Sequence, residues 1–444
     1  MEVKLSNISN FISSSLYGED ASVNNISIDS RDVKNGDLFI AIKGNNFDGH
    51  DFILDSIKKG ASAIICNKSA IKKCGNIPHI ISNDTIDALG VIAYNLKKAM
   101  GQPFTIGVTG TNGKTSVTKL TAEILKQSFN VSTTIGNYNN DIGLPLSIFK
   151  SFNNEIDKCI YELGASKKND ISQLVNICEP DMTTLLNVSE AHMQSFGNME
   201  NLISTKEEIF SHPRTNQVIL NKDDLYFSKW AKLNNDKKIT TISAKENADY
   251  MINYNNEKEC YFTTVKGDFS IDKKYTTGHL PINLLFSVSL AMEAGANIDD
   301  VQDGLQSFKG VKGRFYQFIS KNKFTVIDDS YNANPMSMKS SIKQLEMFNK
   351  DKIFIMGDMG ELGDEALQHH IDIFNFAKES GIKYLLYMGD YESEAKSIFG
   401  KGCYTYNDMS DLVNHVKQLS NRDSVILIKA SRFMSFDLIA EGLK

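Results

Sequence analysis

The residues best placed to do chemistry form one short stretch, Gly110-Thr-Asn-Gly-Lys-Thr-Ser116. Gly110 and Gly113 allow a tight turn, Thr111 and Asn112 place polar groups between them, and Lys114 adds a cation. Thr115 and Ser116 follow with hydroxyls. The chemistry is anion binding: backbone N–H groups and the positive end of a helix point at phosphate oxygens. Lys114 then meets the β- and γ-phosphates of a nucleotide, and Thr115 offers its hydroxyl to Mg²⁺. The usual phosphate loop has glycine five residues before the Gly-Lys pair; Val108 stands there in this chain. Without the loop, the alternative is an ordinary strand-turn-helix connection that contains a lysine.

Three further residues carry reactive groups at strand or helix ends. Glu162 is the only charge inside the apolar run that starts after Lys158, and reads as a Mg²⁺ ligand or as a carboxylate paired with a buried base. His192 closes Glu190-Ala-His192, just past an apolar strand, and reads as a metal or phosphate ligand or as a capping histidine. Lys206 lies in a helical stretch, where its spacing alone makes it a solvated lysine. Asp48-Gly-His50 is a polar turn that could hold a sugar or a nucleotide diphosphate, although Asp-Gly is also a common turn.

These groups need elements to position them. The run Phe104 to Thr109 predicts a strand, and Val117, Leu120, Thr121, Ile124 and Leu125 predict a helix straight after the loop. The polar, glycine-broken residues 133–143 predict a ligand loop. Further strands are expected over 26–31, 37–42, 61–66, 158–164, 182–188 and 217–221, and helices over 204–210 and 283–296. Residues 236–275 read as β-rich or irregular, with no role assigned. Beyond residue 315, strands over 324–329, 352–357, 384–389 and 424–429 alternate with helices over 337–348, 368–379 and 409–419, which implies a mostly parallel α/β sheet covered on both faces. Two of these strands end in polar loops, 328–335 and 357–363. No Gly-x-Gly-x-x-Gly is present, so a dinucleotide cofactor is not indicated.

Composition narrows the class. A length of 444 residues suggests about three domains. The expected division is 1–98, 99–314 and 315–444, the whole an α/β protein. A net charge of −6 argues against nucleic-acid binding. No apolar run reaches the ~18 residues of a membrane span, and no secretory signal opens the chain. Six scattered cysteines without a Cys-x-x-Cys pair read as reduced thiols of a cytoplasmic protein.

Taken together, several stretches resemble the Mur ligase family. Thr109-Gly-Thr-Asn-Gly-Lys-Thr115 is similar to its phosphate loop, including the departure at Val108. Gly136-Asn-Tyr-Asn-Asn-Asp-Ile-Gly-Leu-Pro-Leu146, Asp328-Asp-Ser-Tyr-Asn-Ala-Asn-Pro335 and Gly357-Asp-Met-Gly-Glu-Leu-Gly363 resemble the members that add D-alanyl-D-alanine. Asp29-Ser-Arg31, Gly36-Asp-Leu-Phe-Ile-Ala41 and Asp48-Gly-His50 fit their UDP-binding domain. Folylpolyglutamate synthase shares the central fold but lacks that separate N-terminal unit.

The resemblance implies a reaction and a set of roles. ATP phosphorylates the terminal carboxylate of a UDP-N-acetylmuramoyl-tripeptide. The amine of D-alanyl-D-alanine then attacks the acyl phosphate. Gly110, Thr111, Asn112, Gly113, Lys114, Thr115 and Ser116 would cradle the nucleotide, with Asn283 at the adenine and Arg314 and Asp329 reaching ATP from the hinge and the C-terminal side. The family usually shows His-Asn just before that asparagine; here His279 precedes Leu280. Thr115 and Glu162 would hold one Mg²⁺ and His192 a second. Lys206, carbamylated by CO₂, would support the second metal. Lys114, His192 and Lys206 are thus the implied catalytic residues. Ser30, Arg31, Asp48, Gly49 and His50 would contact the UDP portion, Asn139 and Asn140 the muramoyl peptide, and Tyr331, Asn332 and Asn334 the dipeptide. Lys429-Ala-Ser-Arg432 resembles the family's late Lys-Gly-Ser-Arg stretch. The chain is expected to act as a monomer, with hinge closure over the substrates.

Overall fold

The computed structural model describes residues 2–44, 46–152, 155–189, 193–253, 258–273 and 281–444. Three α/β units follow one another, each built on its own sheet. The first sheet runs Leu16–Tyr17, His79–Ile81, Ala63–Cys66, Asp37–Ile40, Asn25–Ser27, parallel except for its first pair. The strand expected over 26–31 ends at Ser27. Asp29 stops it, because its carboxylate accepts from both the backbone N–H and the guanidinium of Arg31 and so closes a turn.

Among the described residues, the second sheet has nine strands. From Val131–Thr133 it runs through Lys158–Glu162, Phe104–Thr109, Met182–Leu185, Gln217–Asn221, Lys238–Ser243 and Tyr250–Asn253, all parallel. Glu259–Thr264 and Phe269–Asp272 then add antiparallel at the edge. The segment with no assigned role in the sequence therefore widens this sheet. Phe104–Thr109 is buried along almost its whole length, as a strand covered on both faces must be. Its neighbours pair so that Glu162 lies beside Val108 and Leu185 beside Thr109. The strand ends are thus level, and the loops that leave them gather at one edge.

The third sheet runs Tyr316–Ile319, Thr325–Asp328, Ser424–Lys429, Asp351–Gly357, Tyr384–Met388, Cys403–Thr405. Only the first strand is antiparallel. Helices Pro335–Gln344, Ala366–Glu379 and Met409–Leu419 lie close to the stretches expected to be helical.

The first two units share a core. Helix Thr85–Ala99 lies against helices Gly143–Ser151 and Asp170–Cys178 of the second unit, and one continuous apolar cluster joins Leu89, Ile92 and Leu96 to Leu144, Ile148 and Leu174. A Cβ added at Gly90 would stand 3.0 Å from the Ile177 side chain, so the helices approach closely there. Physically, this helix belongs to the layer covering the central sheet. All six cysteines are free thiols, five of them buried. Among the described residues, no helix is long and apolar enough to cross a membrane.

Candidate functional site

The phosphate loop leaves the Phe104–Thr109 strand and enters helix Lys114–Leu125. Gly113 has φ +88°, and a Cβ there would meet Asn283 Oδ1 at 2.9 Å. Only glycine suits both the backbone and the approach. This also sets Asn283, expected near the nucleotide, directly against the loop. The loop is tied to the segment after Met182–Leu185. Thr111 N–H donates to the Asn187 carbonyl at 2.9 Å, Asn112 N–H to Asn187 Oδ1 at 3.0 Å, and Asn187 Nδ2 back to the Asn112 carbonyl at 3.0 Å. Thr111 Oγ1 donates to the Ser189 carbonyl at 3.2 Å.

Lys114 curls back over its own loop, donating to the carbonyls of Gly110 at 2.8 Å and Thr111 at 3.1 Å. Burial pushes its ammonium below the ordinary lysine range; Glu162 opposes that and the Arg314 charge adds to it. Lys206 is 4% exposed on helix Met199–Glu207 and donates to the same Gly110 carbonyl at 3.1 Å. It is therefore not a solvated lysine. Burial, with the Lys114 charge beside it, pushes its pKa down to about 7.

Glu162 sits at the end of its strand, buried. One carboxylate oxygen accepts from Thr115 Oγ1 at 2.8 Å, the other from Asn139 Nδ2 at 2.7 Å. The level strand ends bring Thr115 and Glu162 together. Ser116, the last residue of the loop stretch, lines the cavity beside them. Asn139 orients Glu162, while Asn140 Oδ1 accepts from Gly143 N–H at 2.8 Å, where the next helix begins. Among the described residues, no group of three or more His, Cys, Asp and Glu forms a ready-made metal cage. Thr115 and Glu162 are hard oxygen donors of the kind Mg²⁺ takes in small number, alongside substrate phosphates and water. His192, Glu190, His279 and Leu280 lie outside the described residues.

The third unit forms the opposite wall. The Arg314 guanidinium stacks over the Tyr331 ring at 3.8 Å, with Arg432 at 5.8 Å from the same ring. Asp329 lines the cavity, but its carboxylate bonds within its own unit. It accepts from Phe315 N–H at 3.0 Å, from Ser341 Oγ at 2.6 Å and from the buried Lys429 Nζ at 2.5 Å. Lys429 also donates to the Asn332 carbonyl at 3.0 Å and so holds the 329–334 loop in place. Asn334 is mostly buried, the N-cap of helix Pro335–Gln344.

A cavity of about 1270 Å³ lies between the units. Lys43 and Gly44 line it from the first, Lys114, Glu162 and Lys206 from the second, and Arg314, Tyr331, Asn332, Asn334 and Arg432 from the third. Ser30, Arg31, Asp48, Gly49 and His50 do not. Arg31 is exposed and paired with Asp29. His50 is buried, with Nδ1 2.6 Å from Asp48 Oδ1 and Nε2 accepting from Asn67 N–H at 3.1 Å, so both ring nitrogens are engaged inside the fold. Gly49 packs so tightly that a Cβ would reach 2.7 Å from Ile42 N.

Sequence reasoning did not single out Asn187, Ser189 or Lys119, whose ammonium donates to the Thr134 carbonyl behind the site. Their signal is weak, since they are ordinary polar residues whose partners are remote in sequence.

Profiles of three Mur ligase domains match this chain in order. The Mur ligase family catalytic domain covers residues 22–99, the Mur ligase middle domain 108–291, and the Mur ligase glutamate ligase domain 313–432. A UDP-N-acetylmuramoyl-tripeptide–D-alanyl-D-alanine ligase of Buchnera aphidicola is 34% identical over 451 residues, covering 99% of this chain and 97% of the relative. The chain belongs to the Mur ligase family. Among solved Mur ligases, the crystal structure of MurF from Acinetobacter baumannii superimposes with a TM-score of 0.88 at 25% identity, covering 100% of this chain and 99% of that one. The MurF ligase of Thermotoga maritima in complex with ADP gives 0.81 at 27% identity, covering 95% and 97%. The three-unit architecture is thus that of a Mur ligase throughout.

Proposed function

We propose that this Mur ligase joins D-alanyl-D-alanine to UDP-N-acetylmuramoyl-tripeptide, using ATP, and so makes the pentapeptide precursor of peptidoglycan. The observation that carries the reading is the convergence of Lys114, Glu162 and Lys206 on one cavity walled by all three units, with Thr115 hydrogen-bonded to Glu162. The full-length likeness to ligases named for this reaction supports it, and the ADP complex of a relative supports use of ATP.

The chemical problem is to bring two anions together, a triphosphate and a carboxylate. Loop N–H groups from Gly110 to Ser116 and the Lys114 ammonium hold the β- and γ-phosphates and take up charge as the γ-phosphoryl leaves ADP. Thr115 and Glu162 would hold Mg²⁺, which supplies further neutralisation of the phosphate oxygens when bound. Arg314, braced on Tyr331, faces the nucleotide from the third unit, and Asn283 meets its adenine. The γ-phosphoryl passes to the tripeptide carboxylate. The dipeptide amine attacks the acyl carbon, the carbon–oxygen bond to phosphate breaks, and inorganic phosphate leaves.

Lys206 fits the carbamate role. With a pKa near 7 it offers a neutral amine at physiological pH. That nitrogen attacks the carbon of CO₂, a proton goes to water, and the product is an anion beside the metal position. His192 would supply a second metal ligand. The Ser30-Arg31 turn and Asp48-Gly-His50 serve the UDP end, with the His50 ring setting the loop rather than touching the ligand. Asn139 meets the peptide side through Glu162, and Tyr331 and Asn332 the dipeptide side. The chain supplies every wall of the cavity itself, which suits a monomer, and its free thiols suit the cytoplasm.

Glu162→Gln is expected to raise the Mg²⁺ concentration for half-maximal activity about 10–100-fold, with the fold intact; an unchanged Mg²⁺ titration would remove Glu162 from the metal set. The reading as a whole is tested by phosphate release. It should appear only when ATP, UDP-N-acetylmuramoyl-tripeptide and D-alanyl-D-alanine are all present. Release driven by a folate and glutamate would reject it.

A further inference from the structure

One pair of amides joins the phosphate loop to the third unit across 222 residues of sequence. Asn334 Nδ2 donates to Asn112 Oδ1 at 2.8 Å, and Asn112 Nδ2 approaches Asn334 Oδ1 at 3.5 Å. Both partners are held rigidly from behind. Asn112 N–H is fixed by Asn187 Oδ1 at 3.0 Å, and its Nδ2 also reaches Ser189 Oγ at 3.3 Å. Asn334 Oδ1 accepts from Ser337 N–H at 2.9 Å, the capping bond of helix Pro335–Gln344. One carboxamide therefore does two things. Its oxygen ends a helix, and its nitrogen reaches across to the nucleotide loop.

The linker between the units points the same way. Gly313 N–H donates to Asp328 Oδ2 at 3.1 Å, Tyr331 N–H to the Gly313 carbonyl at 3.0 Å, and Phe315 N–H to Asp329 Oδ1 at 3.0 Å. Phe315 is held at φ +55°, an uncommon conformation for a phenylalanine. Residues 313–315 are thus stapled to the third unit, and Arg314 moves with it. Any hinge lies before Gly313.

We infer that Asn334 is a positioning residue: its amide latches the third unit onto the phosphate loop, delivering Arg314 to the nucleotide and fixing the dipeptide wall. Its oxygen accepts from Ser337 N–H and one of its two amide hydrogens goes to Asn112, so the latch is made by atoms that face the protein. For the identity of the ligands this rests on the proposed function; for the latch it does not. The consequence is coupling. Nucleotide met by Arg314 and dipeptide held by the third unit both favour the latched arrangement, so nucleotide strengthens dipeptide binding and dipeptide strengthens nucleotide binding equally.

Asn334→Ser separates the two duties, since serine caps a helix well but is too short to reach Asn112. The thermal midpoint should stay close to that of the wild type. KM for D-alanyl-D-alanine should rise about three- to tenfold, as loss of one neutral hydrogen bond allows, with a smaller change in kcat. The radius of gyration by X-ray scattering, measured with saturating ADP, should increase. Combined with Asn112→Ala, the effects on KM should be less than additive. A wild-type radius in ADP, or strictly additive effects, would overturn the latch. Should the wild type fail the substrate-pair assay while Asn334→Ser still opens in ADP, the ligase reading fails and the latch stands.

Discussion

Lys114→Ala is expected to lower kcat at least about 10²–10³-fold while the protein stays folded, the loss typical when one preorganised charge donor is removed from a developing anion. The ammonium is held by two loop carbonyls, at 2.8 and 3.1 Å, directly over the phosphate-loop turn. Burial and Arg314 push its pKa down while the nearby Glu162 carboxylate pulls it back up. The cation is therefore held ready at the point where charge accumulates as the γ-phosphoryl moves. Lys114→Met, which keeps the hydrocarbon stem, should lose the same factor, because charge and not volume is at issue. Single-turnover phosphoryl transfer is the readout, with circular dichroism as the control for folding. Activity within tenfold of the wild type in either variant would show that phosphate neutralisation lies elsewhere.

The second large effect concerns Lys206. Lys206→Ala should cut turnover by about two to three orders of magnitude, comparable to loss of a group that stabilises the transition state. Short carboxylic acids should restore part of it, whereas bicarbonate should not, because no amine is left to capture CO₂. The pH dependence has a definite sign. The folded-state pKa is about 7 against an ordinary value of 10.5. The reactive neutral amine is therefore scarce below pH 7 and abundant above it. In the wild type at fixed dissolved CO₂, carbamate formation should rise as pH passes upward through about 7. ¹³C-labelled bicarbonate should give a carbamate signal in the wild type that is missing in Lys206→Ala. Stability follows the same linkage. Between about 7 and 10.5 the unfolded chain holds more protons at this position than the folded one, so stability gains with rising pH. Below that window the cost of burying the ammonium is present in full. Lys206→Ala should flatten this part of the stability curve. Full activity of that variant without added acid would reject the carbamate.

The elements set between strong breakers were the most legible in the sequence. Phe104–Thr109, Gln217–Asn221, Ser424–Lys429 and Met409–Leu419 have the expected bounds, because each is a continuous apolar run or a clean amphipathic helix between strong breakers. The pairing of Thr115 with Glu162 was legible too, since a carboxylate at the end of a buried parallel strand has few other places to be. Lys206 shows the limit. Its neighbours Glu207 and Glu208 make the segment look solvated, and only tertiary packing buries the amine against Gly110. His50 and Asp329 show the opposite case. Both look like ligand-binding groups by type, yet each has its polar atoms engaged by the fold. Asn334 carries two roles that local sequence cannot separate, because one of its partners lies 222 residues away.

At the centre of this account is a carboxylate activated by phosphorylation inside the three-walled cavity. The direct test is oxygen tracing. UDP-N-acetylmuramoyl-tripeptide labelled with ¹⁸O in its terminal carboxylate is turned over with unlabelled ATP and D-alanyl-D-alanine, and the released phosphate is weighed by mass spectrometry. The acyl-phosphate route predicts one ¹⁸O in each phosphate released, whereas phosphate free of label would contradict it.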